Sequence, residues 1–414
     1  MTKHNFVQAC VALAVAVAFA PAVNAAPEKV DTKTCVACHS NIGGFHKSGA
    51  HKKVSCTSCH SGLTKHVSAP SKDTRPVTSM DPKTCGSCHP AQFKSMYTIN
   101  EERTPRFSKK NSASVAPNPF FDRALGAHGF TKEHDLPRSH AFAALDQYLC
   151  DRAFGGRFVP KEGWMYLGQG DGAFRVWDVI NDKYPEDNAQ KPRRPGTAAA
   201  GNPVCWTCKS TDLMLDWAYL GEKHPEAKFS RQSNVVDVMR SINHAVNCNF
   251  CHDPHSAKPR IVRDGLIQAL TRTDIPSLYS EDPKATKINV IDMGVRGFTR
   301  KIATMEKADS KLMCAQCHVE YNCNPGFDPK TGKAIGMSDV RTNLFPFVDV
   351  TKIDDFYAKV GFKDFKHNVT GAALTKMQHP DVETYWNSTH DKAGVGCADC
   401  HMPKMKDKKT GKVY

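Results

Sequence analysis

The apolar positions of this chain are unevenly spread. Three segments, His140 to Arg152 (HAFAALDQYLCDR), Val235 to Val246 and Pro380 to His390, have helix-forming composition or apolar residues recurring near every 3.6 positions. Alternating runs that read as half-buried strands are scarce. The pattern predicts a mainly α fold of short helices and long loops. Residues 35–89, by contrast, are rich in Lys, Ser and Thr and poor in Leu, Ile and Phe, so that stretch cannot bury a conventional core. The polar sequence EERTPRFSKKNSASVAPN, 101–118, has no apolar period and reads as a linker or wrapping loop. The predicted organisation is an N-terminal unit over 26–118 and a larger one over 119–414.

Before both stands a short leader. Its apolar run from Phe6 to Ala20 is followed by Pro21 and the small-residue triplet Val23, Asn24, Ala25, which reads as a secretory signal cut after Ala25 rather than a buried N-terminal helix. The run falls short of the ~20 residues that a membrane-crossing helix needs, and no later segment comes closer. The mature chain is therefore expected to be soluble and outside the cytoplasm, in the periplasm.

Seventeen cysteines in an exported chain suggest disulfides at first, but their spacing points elsewhere. Six fall in CxxCH motifs: Cys35, Cys38, His39; Cys56, Cys59, His60; Cys85, Cys88, His89; Cys248, Cys251, His252; Cys314, Cys317, His318; and Cys397, Cys400, His401. Random placement gives roughly 0.03 such matches. A seventh site, Cys205, Cys208 and Lys209, carries Lys in place of His. Two thiols three residues apart can bond the two vinyl groups of one haem, and the next side chain turns under the iron as an axial ligand. Tetrahedral zinc has no need of a His directly after every second Cys. Seven haem c groups are expected, and in the N-terminal unit the three haems stand in for a core.

The formal charge of +14 would ordinarily suggest nucleic acid or an anionic membrane. Seven haems bring about fourteen propionate charges, partly offset by ferric iron, so no nucleic-acid partner is expected. Clustered Lys and Arg read as propionate partners, with any surplus drawing a small anion to its site.

A lysine after CxxC is the odd member. An iron with two strong ligands passes electrons, whereas an iron with one leaves a face open to substrate. Lysine can bind iron only where a buried, dry setting lowers its pKa, which is an unusual arrangement for electron relay. The competing reading is a degenerate site in which Lys209 is free and another His binds. Near the C-terminal end, Pro380 suits a first helical position and Asp381 and Glu383 a first turn. His379 is then placed at the N-cap of a helix running to His390, with the two imidazoles on one face about 16 Å apart and serving different haems.

CWTCKS (205–210), CAQCHVEY (314–321), KMQHP (376–380) and CADCHMPK (397–404), in that order, resemble the catalytic core of cytochrome c nitrite reductases, which reduce nitrite to ammonium. The three extra CxxCH motifs in front make the chain similar to the octahaem members. The resemblance implies Lys209 as the proximal ligand of the active haem, Arg152 as a distal arginine, and Tyr321 and His379 as the distal tyrosine and histidine. Read alone, Arg152 could equally clamp a propionate. It also implies a calcium ion held by the side chains of Glu320 and Gln378 and the carbonyls of Tyr321 and Lys376. His140 is implied as the distal ligand of the Cys314/Cys317 haem, and His390 as another distal ligand. His46, His51, His66, His128, His134, His244 and His255 form the remaining pool, unpaired by sequence. Cys323, two residues after Tyr321, matches a cysteine bonded to the tyrosine ring in the octahaem enzymes; a free thiol or a Cys150–Cys323 disulfide are the alternatives.

Members of that family continue through one more CxxCH and long C-terminal helices, so the chain reads as a truncated sequence, with eight haems expected at full length. The resemblance implies a quinol-linked cytochrome, periplasmic or membrane-bound, as electron donor, and a homo-oligomer when full-length. Hydroxylamine and nitric oxide are further implied substrates. Two other functions compete: hydroxylamine oxidation, which in its own octahaem family uses His where Lys209 stands, and a non-catalytic electron conduit.

Overall fold

A computed structural model describes residues 28–97, His140, 150–153, 158–160, 197–198 and 203–413, apart from 235–236, 239–240, 243, 294–299, 324, 368 and 403. The leader, the linker at 101–118, and with it the expected boundary at 118, lie outside the described residues, as do His128 and His134. The chain divides into two compact units.

The smaller unit holds the described residues up to Cys38 together with Ser55–Thr78. Its elements are a helix over Thr32–Cys38, a single 3-10 turn at Cys56–Ser58, a helix over Leu63–Ser68, and a two-stranded ribbon pairing His60–Ser61 with Val77–Thr78. Leu63 is the one buried side chain among its described residues. With so little apolar cover, local polar links carry the fold. The Glu28 carboxylate accepts from the backbone N–H of Leu63 at 2.9 Å and of Thr64 at 3.5 Å, capping that helix with a negative charge.

The larger unit, His39–Val54 and Ser79–Tyr414, has a true core. Trp206, Trp217, Phe250, Leu266, Phe345 and Phe347 are buried at its centre. The amphipathic helix Asp264–Thr271 packs there beside an antiparallel sheet whose middle strand, Lys301–Met305, pairs with Arg260–Ile261 on one side and Ile288–Asp292 on the other. Four of the five middle-strand residues are buried, because that strand has a neighbour on each edge and side chains on both faces. A second cluster gathers Ile335, Val348, Ile353, Phe356, Tyr357 and Phe362 around the helix Ile353–Val360. Gly361 ends that helix at φ 71, a left-handed conformation open to glycine at no steric cost.

The described residues are thus mainly short helices and loops, as the apolar pattern predicts, but three helix readings need correction. Cys150–Ala153 is a strand, paired with Phe158–Pro160 and Thr197–Ala198, so the 140–152 segment does not end as a helix; its residues 141–149 lie outside the described set. The 235–246 segment is helical at Asp237, Val238 and Ser241 and then extends, with Ala245 bridging Ser210. The 380–390 segment forms two helices, Asp381–Tyr385 and Thr389–Lys392. Trp386 turns extended, Asn387 takes φ 63, and Ser388 caps the second helix by accepting from Asp391 N–H. The N-cap of the first is Pro380 rather than His379, so His379 and His390 do not share one helical face. Among the described residues no helix is long and apolar enough to cross a membrane.

Candidate functional site

The helix Pro203–Trp206 carries Cys205 into the core, and the chain then turns tightly. Thr207 Oγ1 bonds Val204 O at 2.6 Å and Lys209 N–H bonds Trp206 O at 2.9 Å. Ser210 then caps the helix Thr211–Leu215. Cys205 and Cys208 are buried, and Lys209 is part-buried. This loop lies against the CAQCH loop: Cys208 Sγ is 3.7 Å from Gln316 O and Cys317 Sγ 3.9 Å from Cys208 O. A hydrogen bond from the Cys317 thiol, with the charges of Arg263 and Lys209, brings Cys208 down to about 5, while Cys317 is pushed up. Thiols of different motifs meet elsewhere too, Cys314 with Cys397, Cys85 with Cys248, and, within the smaller unit, Cys35 with Cys56. None of the described cysteines is in a disulfide.

Three residues past His318, Tyr321 is buried with its ring 5.8 Å from Phe345 and 5.3 Å from His379. Burial, then the positive charge of nearby Lys209, pulls His379 down to about 4, so at neutral pH it is an uncharged imidazole. Its Nδ1 is buried with no hydrogen-bond partner among the described residues. The Tyr321 and His379 rings are therefore neighbours, and Lys209 bears on His379 electrostatically, although 58 residues separate the first two in sequence and 112 separate Tyr321 from Lys209. Arg152 lies on the strand Cys150–Ala153, and its side chain is outside the described set.

Two imidazoles bound to one iron, each by a bond of ~2 Å, have ring centroids about 6 Å apart. The rings of His51 and His89 are 6.1 Å apart, as are those of His140 and His318. His318 also lies 6.1 Å from His379. His51 Nδ1 is 2.7 Å from Pro254 O and His318 Nδ1 is 3.0 Å from Asp381 Oδ2. Such partners fix the proton on Nδ1 and leave Nε2 as the ligand atom. His244 is held the same way by Asp212 Oδ1 at 3.1 Å. His46 is placed differently, with Nε2 itself 2.8 Å from Val54 O. His255 Nδ1 lies 3.5 Å from Asp253, His66 Nδ1 3.4 Å from Thr74 Oγ1, and His390 is exposed on the second of the two short helices. The donor types, thiol spacing and imidazole spans all fit haem c.

Beneath Tyr321 the acids gather. Glu320 is fully buried; Tyr357 OH donates to its Oε1 at 2.8 Å and Gln378 N–H donates to its Oε2. Glu320 N–H in turn donates to Glu383 Oε1 at 3.1 Å, and Glu383 Oε2 is buried with no hydrogen-bond partner among the described residues. Burial pushes Glu320 up to about 7 and Glu383 up to about 8. A hard cation relieves this kind of strain. Among the described residues no group of three His, Cys, Asp or Glu side chains could hold a metal ion, so a cation on Glu320 would draw on amide and carbonyl oxygens such as those of Gln378, Tyr321 and Lys376. Gln378 Nε2 contacts Cys323 Sγ at 3.4 Å, and Cys323 is buried.

Sequence reasoning missed Glu383, Tyr357, Asp381, Gln316 and Arg263. Glu383 and Asp381 read as first-turn charges, and nothing in the spacing marks Arg263, which is buried completely.

Thiol pairs each followed by a nitrogen donor, with imidazoles spaced for shared iron, define a c-type cytochrome. The profile of the family described as cytochrome c552 matches residues 176–414. Cytochrome c-552 of Haemophilus influenzae is 28% identical over 308 residues, covering 72% of this chain and 45% of that protein. Cytochrome c-552 of Parabacteroides distasonis is 30% identical over 203 residues, 48% of this chain and 33% of its own length. That of Desulfotalea psychrophila is 28% identical over 278 residues, 67% and 42% respectively. The chain belongs to the cytochrome c552 family, and the matched stretch spans less than half of each of these relatives.

Proposed function

We propose that this chain is the catalytic part of a periplasmic, ammonia-forming nitrite reductase whose active haem is held by Cys205, Cys208 and Lys209. The observation that carries the reading is the buried Tyr321 ring 5.3 Å from His379, with Lys209 close enough to act on that imidazole electrostatically. Cys205, Cys208 and Lys209 would hold the haem, which would supply an iron able to bind and reduce nitrite.

The chain's own groups do the rest. Nitrite is an anion, and the Arg152 guanidinium offers fixed donors for it and for more reduced, charge-accumulating species. Conversion to ammonium takes six electrons and eight protons, so the pocket must hand over protons repeatedly. The His379 imidazole would present an N–H to a nitrite oxygen and take up a proton in exchange, and the Tyr321 hydroxyl would donate beside it. Bis-His pairs such as His51 with His89 and His140 with His318 carry the electrons in, drawn from a quinol-linked cytochrome. The seven motifs of this chain would hold the haems of that relay.

Glu320, Gln378 and the carbonyls of Tyr321 and Lys376 would hold a calcium ion, which would keep Tyr321 and His379 in register and offset the buried acids. A bond from Cys323 Sγ to a ring carbon of Tyr321, made with loss of the thiol hydrogen and one ring hydrogen to a two-electron oxidant, would lower the phenol's pKa and fix its orientation. Hydroxylamine and nitric oxide share the site. Incubating the haem-loaded protein with reduced viologen and 15N-nitrite tests the reaction: one 15N-ammonium per nitrite consumed is expected. Consumption yielding nitric oxide or nitrous oxide alone overturns the ammonia-forming reading.

A further inference from the structure

Arg263 is a cation with no surface. Its side chain is fully buried, with Nη1 2.9 Å from Asp264 Oδ1, Nη2 3.1 Å from Asn343 Oδ1, and the guanidinium 5.1 Å over the Phe345 ring. Nε has no hydrogen-bond partner among the described residues. Asp264 does not answer this charge alone, since its two oxygens also accept from Gly265 N–H at 2.8 Å, Trp217 Nε1 at 3.0 Å and Asn343 Nδ2 at 3.1 Å. The backbone beneath Arg263 is pinned to a haem-attachment loop. Gln316, between Cys314 and Cys317, accepts through Oε1 from Val262 N–H at 2.7 Å and Arg263 N–H at 3.2 Å, and its own carbonyl meets the Cys208 thiol. The groups that bear electrostatically on Arg263, after the cost of its burial, are Cys208, Asp264, Cys317 and Tyr321. One buried guanidinium thus bears electrostatically on an attachment thiol of each of two motifs and on the candidate distal tyrosine, and its own backbone is hydrogen-bonded to the loop residue, Gln316, that touches Cys208.

We propose that Arg263 is a positioning residue that raises the reduction potentials of the haems attached at Cys208 and Cys317, so that electrons settle next to the substrate site. The inference rests on the haem assignment made above. A fixed positive charge favours the ferrous state, which carries one unit less positive charge, and low-dielectric surroundings screen it poorly. At a separation of ~10 Å and an effective dielectric of ~20, one charge changes the ferrous-to-ferric ratio at a given potential by about tenfold. For a one-electron couple, tenfold is 59 mV.

Spectroelectrochemical titration of the haem-loaded chain provides the test, with haem content measured on each variant. Arg263→Gln is expected to lower the potential of the high-spin haem by about that tenfold ratio. Arg263→Lys should restore most of it, and Asp264→Asn should raise it. A protein with only six haems removes the assignment beneath the inference. Seven haems with the high-spin potential unmoved in Arg263→Gln overturns the inference and leaves the assignment standing. If Arg263→Gln does not accumulate, Asp264→Asn decides: an unmoved or lowered potential overturns the proposal equally.

Discussion

Tyr357→Phe removes a hydroxyl that donates to Glu320 Oε1 at 2.8 Å, where both side chains are fully buried. No water replaces it without opening the second apolar cluster. A hydrogen bond to an ionised group contributes ~1.5–3 kcal/mol and a neutral one ~1 kcal/mol. Burial pushes Glu320 up to about 7, so near neutral pH the acid is about half ionised and the expected loss is ~1–2 kcal/mol. Because this folded value lies above that of an unfolded carboxyl, the contribution of Glu320 is fully present below about pH 4 and is lost as pH rises through 7. The Tyr357 hydroxyl favours the ionised form and resists that loss. The variant should therefore lose more stability at pH 8 than at pH 6. Urea unfolding in chelator at both pH values, followed by tryptophan fluorescence, measures the difference. Equal losses at the two pH values, or a loss under ~0.5 kcal/mol at pH 8, would refute the hydrogen bond's role.

Calcium should flatten the same pH dependence in the unaltered protein, because a cation holds Glu320 ionised; an unchanged slope with saturating calcium contradicts the cation site. His379→Ala and Arg152→Ala should keep all seven haems by pyridine haemochrome assay while cutting nitrite turnover ~100-fold or more, and near-normal turnover in either removes that residue from the mechanism. The peptide holding Tyr321 and Cys323 should be two mass units light and inert to alkylation after reduction; recovery of alkylated Cys323 rules out the ring bond.

Covalent chemistry was the legible layer of this chain. The CxxC spacing points to haem c, as the family does, because thioether attachment demands a fixed spacing that survives any fold; the role of Lys209 is the proposal made above. The element boundaries were less legible. The 380–390 segment has the composition of one helix, but Asn387 at φ 63 and the Ser388 cap break it in two, a choice made by local hydrogen bonds that periodicity does not record. The strand Lys301–Met305 escaped notice because a strand covered on both faces loses the alternation that marks half-buried ones. Arg263, Tyr357 and Glu383 were invisible for a different reason. A buried charge or hydroxyl is defined by what surrounds it, and its partners Asn343, Glu320 and the Asp264 network come from distant stretches of sequence.

The central claim is that the Lys209 haem keeps an open face, and electron paramagnetic resonance of the oxidised, haem-loaded chain addresses it most directly. One high-spin ferric signal among low-spin bis-His haems is expected, shifting on addition of nitrite and lost in a variant that leaves the Cys205/Cys208 site without haem. A spectrum that is low-spin throughout and indifferent to nitrite would contradict the account.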